Sequence, residues 1–148
     1  MIKKIFLFSI LILSLQANDL VIKESKCGVN STVKALKGVI KSKGLDIFAV
    51  INHSANAKSV GLKLNPTIMI VFGKAKLGTK LMQQDPRVGL DLPLRVLVYK
   101  DKDSKTKLAY RNGEFLKKRF VIDAPKIINK INNGLDKITN KAIAECRK

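Results

Sequence analysis

The sequence predicts an α+β fold, in which an N-terminal helix and a long C-terminal helix pack on one face of an antiparallel sheet. Apolar residues recur at helical spacing near both ends of the chain, and short β-branched runs lie between them. These runs follow one another without a regular strand–helix–strand repeat, and the last two flank a short turn-forming segment. Such an order favours an antiparallel sheet over a parallel one.

The N-terminal segment has the layout of a secretory signal peptide. Lys3 and Lys4 precede an apolar run over residues 5–15, and Ala17 is a small residue suited to the cleavage position. The run is shorter than the roughly 20 apolar residues that span a bilayer, although a retained N-terminal anchor is the alternative. We therefore expect a signal peptide over 1–17, one domain over 18–148, a periplasmic or secreted product, and no transmembrane segment in the mature chain.

The mature domain is predicted to begin with a strand and a helix. Residues 19–24 form the strand candidate, and residues 31–43 carry apolar side chains three to four positions apart. Asn30 or Ser31 is the expected cap of this helix, and Gly44 is its stop.

Two further strands are predicted from β-branched and aromatic residues. The segment 45–52 indicates a buried strand, and a short helix over 54–60 closes at Gly61. Pro66 precedes the strand 67–72, whose nearly continuous apolar character predicts a central position in the sheet.

The second half of the chain predicts a hairpin between two helices. A helix over 79–84 follows the glycine loop 73–78, and segments 92–101 and 106–112 flank a turn. The last helix begins near Pro125, with an expected bend at 132–134. Its apolar positions recur at helical spacing over Ile127, Ile128, Ile131, Leu135, Ile138 and Ala142.

Charge is the dominant feature of the composition, with 29 basic and 11 acidic residues and a formal net charge of +18. Such a surface attracts anions of many kinds. The positive charges are mostly lysines spread along the chain, and aromatic residues make up 5% of it, so the clustered arginines and stacking aromatics of a specific nucleic-acid groove are missing. Charge therefore predicts anionic surfaces or small anions as partners, and no specific nucleic acid.

The chain has two cysteines and one histidine, which limits its metal chemistry. Cys27 and Cys146 lie near the two ends of the mature domain, where they either form a disulfide or remain free thiols. Their spacing excludes a C-x-x-C motif, and a single histidine gives no zinc cluster, so we predict no metal site and name no cofactor.

The stretch "GKAKLGTK" over residues 73–80 raises the question of a phosphate-binding loop. Such a loop requires G-x-x-x-x-G-K-S/T, with the lysine reaching the terminal phosphates and the hydroxyl binding magnesium. Gly73 and Gly78 have the right separation, but Thr79 precedes Lys80. The motif therefore does not predict nucleotide hydrolysis, although a helix beginning after Gly78 offers weak anion contact.

Three stretches together carry a family resemblance: "GLDIFAVINH", "PTIMIVFG" and "DLPLRVLV". The chain resembles the domain-of-unknown-function 302 family over roughly residues 31–110, and the C-terminal helix also fits. The resemblance implies a compact α+β domain that forms a homodimer, without an established activity. This chain departs from the family pattern after "FG", where Lys74-Ala75 replaces the usual Asn-Pro. That replacement removes a rigid turn and an amide from the candidate loop.

The candidate site residues lie near these stretches. His53 matches the histidine of the family, and its alternatives are a general base, a metal or haem ligand, or a side chain that caps the strand end. Asp91 either orients His53, binds a local amide, or pairs with Arg95. The predicted ligand-binding set comprises His53, Gly73, Lys74, Gly78, Thr79, Asp91 and Arg95, without an assigned catalytic residue.

Three hypotheses about function follow. The first is a small exported binding domain that holds a small ligand near His53 and the loop 73–78. The second is a basic envelope-associated protein that binds anionic surfaces through its lysines. The third is a hydrolase or metal-dependent enzyme centred on His53 and Asp91. The absence of a G-x-S-x-G elbow and of paired carboxylates favours a binding role over an enzyme.

Overall fold

A computed structural model of the protein describes residues 19–147. They form five strands and five α-helices: β1 (Leu20–Ser25), α1 (Val29–Ser42), β2 (Asp46–Asn52), α2 (His53–Ser59), β3 (Thr67–Gly73), α3 (Ala75–Met82), β4 (Leu94–Lys100), β5 (Thr106–Arg111), α4 (Gly113–Arg119) and α5 (Pro125–Glu145). A short 3₁₀ helix, Pro86–Leu90, connects α3 to β4. The first 17 residues, with the predicted signal peptide, fall outside this range.

The strands form one antiparallel sheet in the order β1-β5-β4-β3-β2. The helices α1 and α5 pack against each other, and α1 also contacts β2, β3 and β4. Apolar side chains on alternate positions of the inner strands fill the core beneath these helices, among them Ile70, Phe72, Val96, Val98 and Leu108. The predicted α+β class, with its antiparallel sheet and two terminal helices, is therefore confirmed.

The opposite side chains of the same strands form an apolar stripe across the other face of the sheet. The strand register places Ile22 beside Ala109, Ala109 beside Leu97, Leu97 beside Met69, and Met69 beside Ile51. We call these five residues the sheet stripe. Ile22 is 54% exposed, and the other four are partly buried.

Several predicted boundaries are confirmed by the backbone. Gly44 ends α1 and Gly61 follows α2, both with positive φ, a conformation that only glycine adopts readily. The strands β4 and β5 form the expected hairpin, and β3 has a neighbour on each side.

Other boundaries differ from the prediction for physical reasons. The helix α1 begins at Val29, two residues early, because Gly28 occupies the cap position without a side-chain hydrogen bond, so neither Asn30 nor Ser31 is the cap. The strand β2 is an edge strand rather than a buried one, and Phe48 remains 52% exposed there. The helix α5 continues through 132–134, since packing on α1 and α4 supports residues of low helix propensity.

The chain ends and one long connection are tied down by specific bonds. Cys27 and Cys146 form a disulfide that joins the start of α1 to the end of α5. The buried Asp85 carboxylate accepts hydrogen bonds from the Arg87 guanidinium and from the backbone N–H of Val121, at 2.8–3.1 Å. The disulfide links the two ends of the domain. The hydrogen bonds of Asp85 hold the 3₁₀ helix against the segment that precedes α5.

Candidate functional site

An apolar cleft opens between α3, the start of β4 and α5. It consists of two adjoining cavities of about 130 and 250 Å³. Five residues line both cavities: Gly73, Lys74, Leu77, Leu94 and Ile131. We call the two cavities together the glycine cleft.

Four glycines line this cleft, and one of them, Gly89, lies in the 3₁₀ helix. Gly73 ends β3, Gly78 lies in the middle of α3, and Gly134 lies in α5. A Cβ atom on Gly78 would lie 3.5 Å from Leu92 Cδ1, which is an ordinary contact, and a Cβ on Gly134 would meet nothing within 4 Å. Close packing therefore does not require glycine at either helical position, and the missing side chains leave space.

The two cavities differ in charge. The smaller one is lined by apolar side chains, glycines and a single lysine, Lys74. The larger one adds Lys43 at the end of α1 and two lysines of α5, Lys130 and Lys137. Lys74 Nζ donates to the Gly44 carbonyl at 3.1 Å and so joins two walls of the larger cavity. Among residues 19–147, no carboxylate lines either cavity, so the cleft has an apolar end and a basic end.

A third cavity, of about 300 Å³, is separate from the glycine cleft and lies where β4 and β5 diverge. Its lining includes Asp91, Arg95, Arg111 and Asn112. Arg95 Nη2 donates to the Leu90 carbonyl at 2.7 Å, and no ion pair forms between Asp91 and Arg95. The Arg111 guanidinium stacks over the Phe115 ring at 4.1 Å. Pairing with Arg95 was one of the alternatives for Asp91, and the two residues line the same cavity without forming an ion pair.

His53 lies at the opposite end of the sheet. It begins α2 directly after Asn52, whose strand neighbour is Ile68, whereas Asp91 and Gly73 lie at the Phe72 end of β3. A strand rises about 3.3 Å per residue, so the length of β3 separates His53 from both by roughly 16 Å. Within one chain, His53 therefore does not lie near Asp91 or the glycine cleft. Asn52 provides the cap of α2 through a bond from the Ala55 N–H.

The predicted site residues thus separate into three regions. Gly73, Lys74 and Gly78 line the glycine cleft, and Asp91 and Arg95 line the third cavity. His53 lies apart from both, at the opposite end of the sheet. Thr79 is exposed on α3 and lines none of these cavities. The segment predicted as a loop is largely helical, because α3 begins at Ala75 and includes Gly78.

The perturbed acids of the described residues have structural roles. Hydrogen bonds from Lys107 at 2.7 Å and from Lys26 lower the pKa of Glu24 to about 2. The Arg87 guanidinium, together with backbone N–H groups, holds the pKa of Asp85 well below its usual range. Neither acid lines a cavity. Within residues 19–147, no three metal-ligating side chains of the His, Cys, Asp or Glu type cluster.

Sequence reasoning missed the cleft residues that lie far from the glycine motif. Leu92 precedes β4 and Leu94 begins it, whereas Ile131 and Gly134 come from α5. The periodicity of α5 marked Ile131 as a core residue, and nothing in the sequence shows that it faces an unfilled space. A glycine inside a helical pattern, as at Gly134, was the one available signal.

The structure is a small α+β domain with an apolar cleft, and comparison with known proteins places it in a family. The family model "Domain of unknown function DUF302" matches residues 21–142, so the chain belongs to that family. The crystal structure of an uncharacterised conserved DUF302 protein from Bacillus stearothermophilus aligns with a TM-score of 0.69 at 18% identity. The alignment covers 88% of this chain and 99% of that one, which shows a shared fold.

Curated relatives from Brucella are longer than this chain. "Fluoride-specific ion channel FluC 1" of Brucella suis biovar 1 (strain 1330) is 38% identical over 102 residues, which are 69% of this chain and 40% of that protein. "Fluoride-specific ion channel FluC 2" of Brucella melitensis biotype 1 is also 38% identical over 102 residues, covering 38% of its length. The chain thus spans about two fifths of these relatives. Within residues 19–147, no helix is long and apolar enough to cross a membrane.

Proposed function

We propose that this protein is an exported binding domain whose glycine cleft holds a small apolar ligand. The signal-peptide pattern of residues 1–17 supports action outside the cytoplasm. The apolar lining and the adjoining volumes of about 130 and 250 Å³ support a ligand of modest size, since small-molecule pockets measure roughly 300–1,000 Å³. Fluoride transport is not proposed, because the chain matches only part of the Brucella channels.

A single observation carries this proposal: Gly78 keeps an apolar space open at a cost in stability. Glycine inside a helix is about 1 kcal/mol less favourable than alanine. The space beside Gly78 would accept a methyl group in ordinary contact. A sequence optimised for stability alone would fill this space, whereas a binding site requires that it stay empty.

The separation of His53 from Asp91 favours binding over catalysis. A general base and its orienting acid must lie within hydrogen-bond reach, at roughly 2.6–3.2 Å. Opposite ends of β3 do not provide that contact within one chain.

The test measures binding of the neutral fluorescent probe N-phenyl-1-naphthylamine to residues 18–148. We expect one bound probe per chain and at least a tenfold loss of affinity in Gly78→Leu, because the added side chain occupies the smaller cavity. Gly38→Leu is the matched control: Gly38 is also a helical glycine, in α1, with nothing within 4 Å of its added Cβ.

Two results of this titration would reject the proposal. The first is failure of the wild-type protein to bind the probe. The second is unchanged binding in Gly78→Leu, provided that circular dichroism shows a folded protein. His53→Ala is expected to bind normally, since His53 lies at the far end of the sheet.

A second proposal concerns self-association through the sheet stripe. The stripe crosses the whole sheet, and apolar faces of this kind are buried in many homodimers. We propose that two copies pack by this face. Light scattering should give twice the chain mass for the wild type and the single mass for Leu97→Lys. Val121→Lys, which alters an exposed apolar residue outside the sheet, is the control that should remain dimeric. A monomeric wild type would contradict this proposal.

A further inference from the structure

We propose that the ligand of the glycine cleft is a single-chain amphiphile with a carboxylate head, such as an alkyl carboxylate. This inference rests on the proposed binding function and specifies the chemistry of its ligand. It follows from the unequal distribution of charge between the two cavities. The smaller cavity accepts the apolar chain, and the larger one accepts the head.

The basic end of the cleft is assembled from three separate parts of the fold. Lys43 comes from the end of α1, Lys74 from the junction of β3 and α3, and Lys130 and Lys137 from α5. The two lysines of α5 are seven residues apart, which places them two helical turns apart on one side of the helix. Lysines from three elements thus line one opening, and no acidic residue of the described chain lines it.

These four lysines lack carboxylate partners, as do several other lysines of the described chain, whereas a few lysines form ion pairs. Lys23 contacts Asp136 at 2.7 Å, and Lys107 contacts Glu24 at 2.7 Å. Between residues 19 and 147, no carboxylate lies within 4.0 Å of Lys43, Lys74, Lys130 or Lys137. Positive charge without a protein counter-ion, beside a largely apolar cavity, attracts an anionic head more strongly than a neutral one.

The apolar end limits the rest of the ligand. Its lining is dominated by apolar side chains, and a polar ligand there would lose its hydration without gaining hydrogen bonds. Each CH₂ group of an alkyl chain gains free energy when it is buried among apolar side chains, and Leu77, Leu81, Met82 and Leu92 line this cavity. An inorganic anion alone would leave this cavity unused, so head and chain are both required.

The experiment compares octanoate, 1-octanol and acetate as competitors of the bound neutral probe. Octanoate should displace the probe at a lower concentration than octanol, although the carboxylate is better hydrated in water, and acetate should not displace it. The affinity for octanoate should fall as salt is raised, and the affinity for octanol should not.

Lysine variants then locate the head. Lys130→Gln with Lys137→Gln should weaken octanoate about threefold to tenfold and leave octanol unchanged, since each exposed ion pair contributes modestly. The matched control is Lys126→Gln with Lys141→Gln, which removes the same charge from the same helix outside the cleft lining. This control should bind octanoate like the wild type.

The outcomes separate this inference from the proposed function. If the probe binds but octanoate competes no better than octanol, the cleft is a binding site and the carboxylate assignment is wrong. If both lysine pairs weaken octanoate equally, the lysines act as a diffuse basic surface, and the assignment also fails. If the wild type does not bind the probe, the proposed function itself is rejected.

Discussion

Gly78 and Gly113 both lie in helices, but their surroundings are opposite. A Cβ on Gly78 would enter an open cavity with its nearest contact at 3.5 Å. A Cβ on Gly113, at the start of α4, would lie 2.8 Å from Asn132 Oδ1 and 2.9 Å from Ile128 Cγ2. The backbone N–H of Gly113 also donates to Asn132 Oδ1 at 2.6 Å. We refer to this contact of α4 with α5 as the closed junction.

The comparison separates two reasons for a helical glycine. At the closed junction, packing demands glycine, because α4 and α5 approach too closely for a side chain. At the glycine cleft, packing tolerates alanine, so glycine there points to a use for the empty space. The helix α5 borders both regions, through Asn132 at the junction and Ile131 at the cleft.

The largest expected effect is the loss of the disulfide, on which both regions depend through α5. Replacing Cys27 and Cys146 by serine should lower the free energy of unfolding by about 4 kcal/mol, because the bridge closes a loop with a sequence separation of 119. Urea unfolding at equilibrium measures this loss. Equal stability of the oxidised wild type and the double variant would show that the bridge does not support α5.

Gly113→Ala should have the next largest effect. The added methyl group must displace Ile128 or separate α4 from α5, which should lower the free energy of unfolding by about 2–3 kcal/mol. Urea titration checks this value, with Gly38→Ala as the control in open space. A loss below about 0.5 kcal/mol would mean that α4 and α5 separate at little cost in stability. The contrast with Gly78 would then disappear.

Gly78→Ala should act in the opposite direction. The methyl group fits in ordinary contact and removes the flexibility of glycine, so the free energy of unfolding should rise by about 0.5–1 kcal/mol. The same variant should bind the neutral probe more weakly, because part of the cavity is filled. A destabilised Gly78→Ala protein would contradict the interpretation that this glycine is kept for space.

The smallest effect is a pH dependence that arises away from both glycines. The pKa of Glu24 is lowered from 4.5 to about 2 in the folded protein, mainly by the hydrogen bond from Lys107. As pH falls, Glu24 therefore binds a proton in the unfolded chain before it does so in the folded protein. The contribution of Glu24 is complete above about pH 4.5 and is lost as pH approaches about 2.

Thermal unfolding by circular dichroism between pH 2 and 6 measures this effect. In Glu24→Gln, Tm should fall less steeply than in the wild type as pH is lowered from 6 to 2. The difference in Tm between Gly78→Ala and Gly113→Ala should stay constant over the same range, since neither region contains a carboxylate with a lowered pKa. A difference that changes with pH would mean that titration of Glu24, or of Asp85 beside the 3₁₀ helix, affects the cleft or the junction.

Much of the fold was predictable because its signals are local. The glycines that end α1 and follow α2, the apolar run of β3, the turn between β4 and β5, and the helical spacing of α5 all lie within a few neighbouring residues. The helix α4 and the 3₁₀ helix were missed, since both are short and their apolar residues form no repeated pattern. Family resemblance and local pattern agreed on the sheet and on the terminal helices.

The candidate site was less predictable because it depends on distance in space. The sequence grouped His53, Gly73 and Asp91, which follow one another along the chain. The register of β2 and β3 then placed His53 at one end of the sheet and Gly73 at the other. Each residue adds roughly 3.3 Å to the length of a strand. A shift of a few residues in register therefore decides which side chains meet.

The sequence by itself determined the α+β class, the family, the terminal helices and the positive charge, because composition and periodicity are properties of the chain alone. Only the tertiary structure decided which glycine faces an empty cavity and which one faces a neighbouring helix. It also decided which four lysines surround the same opening. Both depend on how α5 packs against α1 and α4, and those contacts join residues far apart in the sequence.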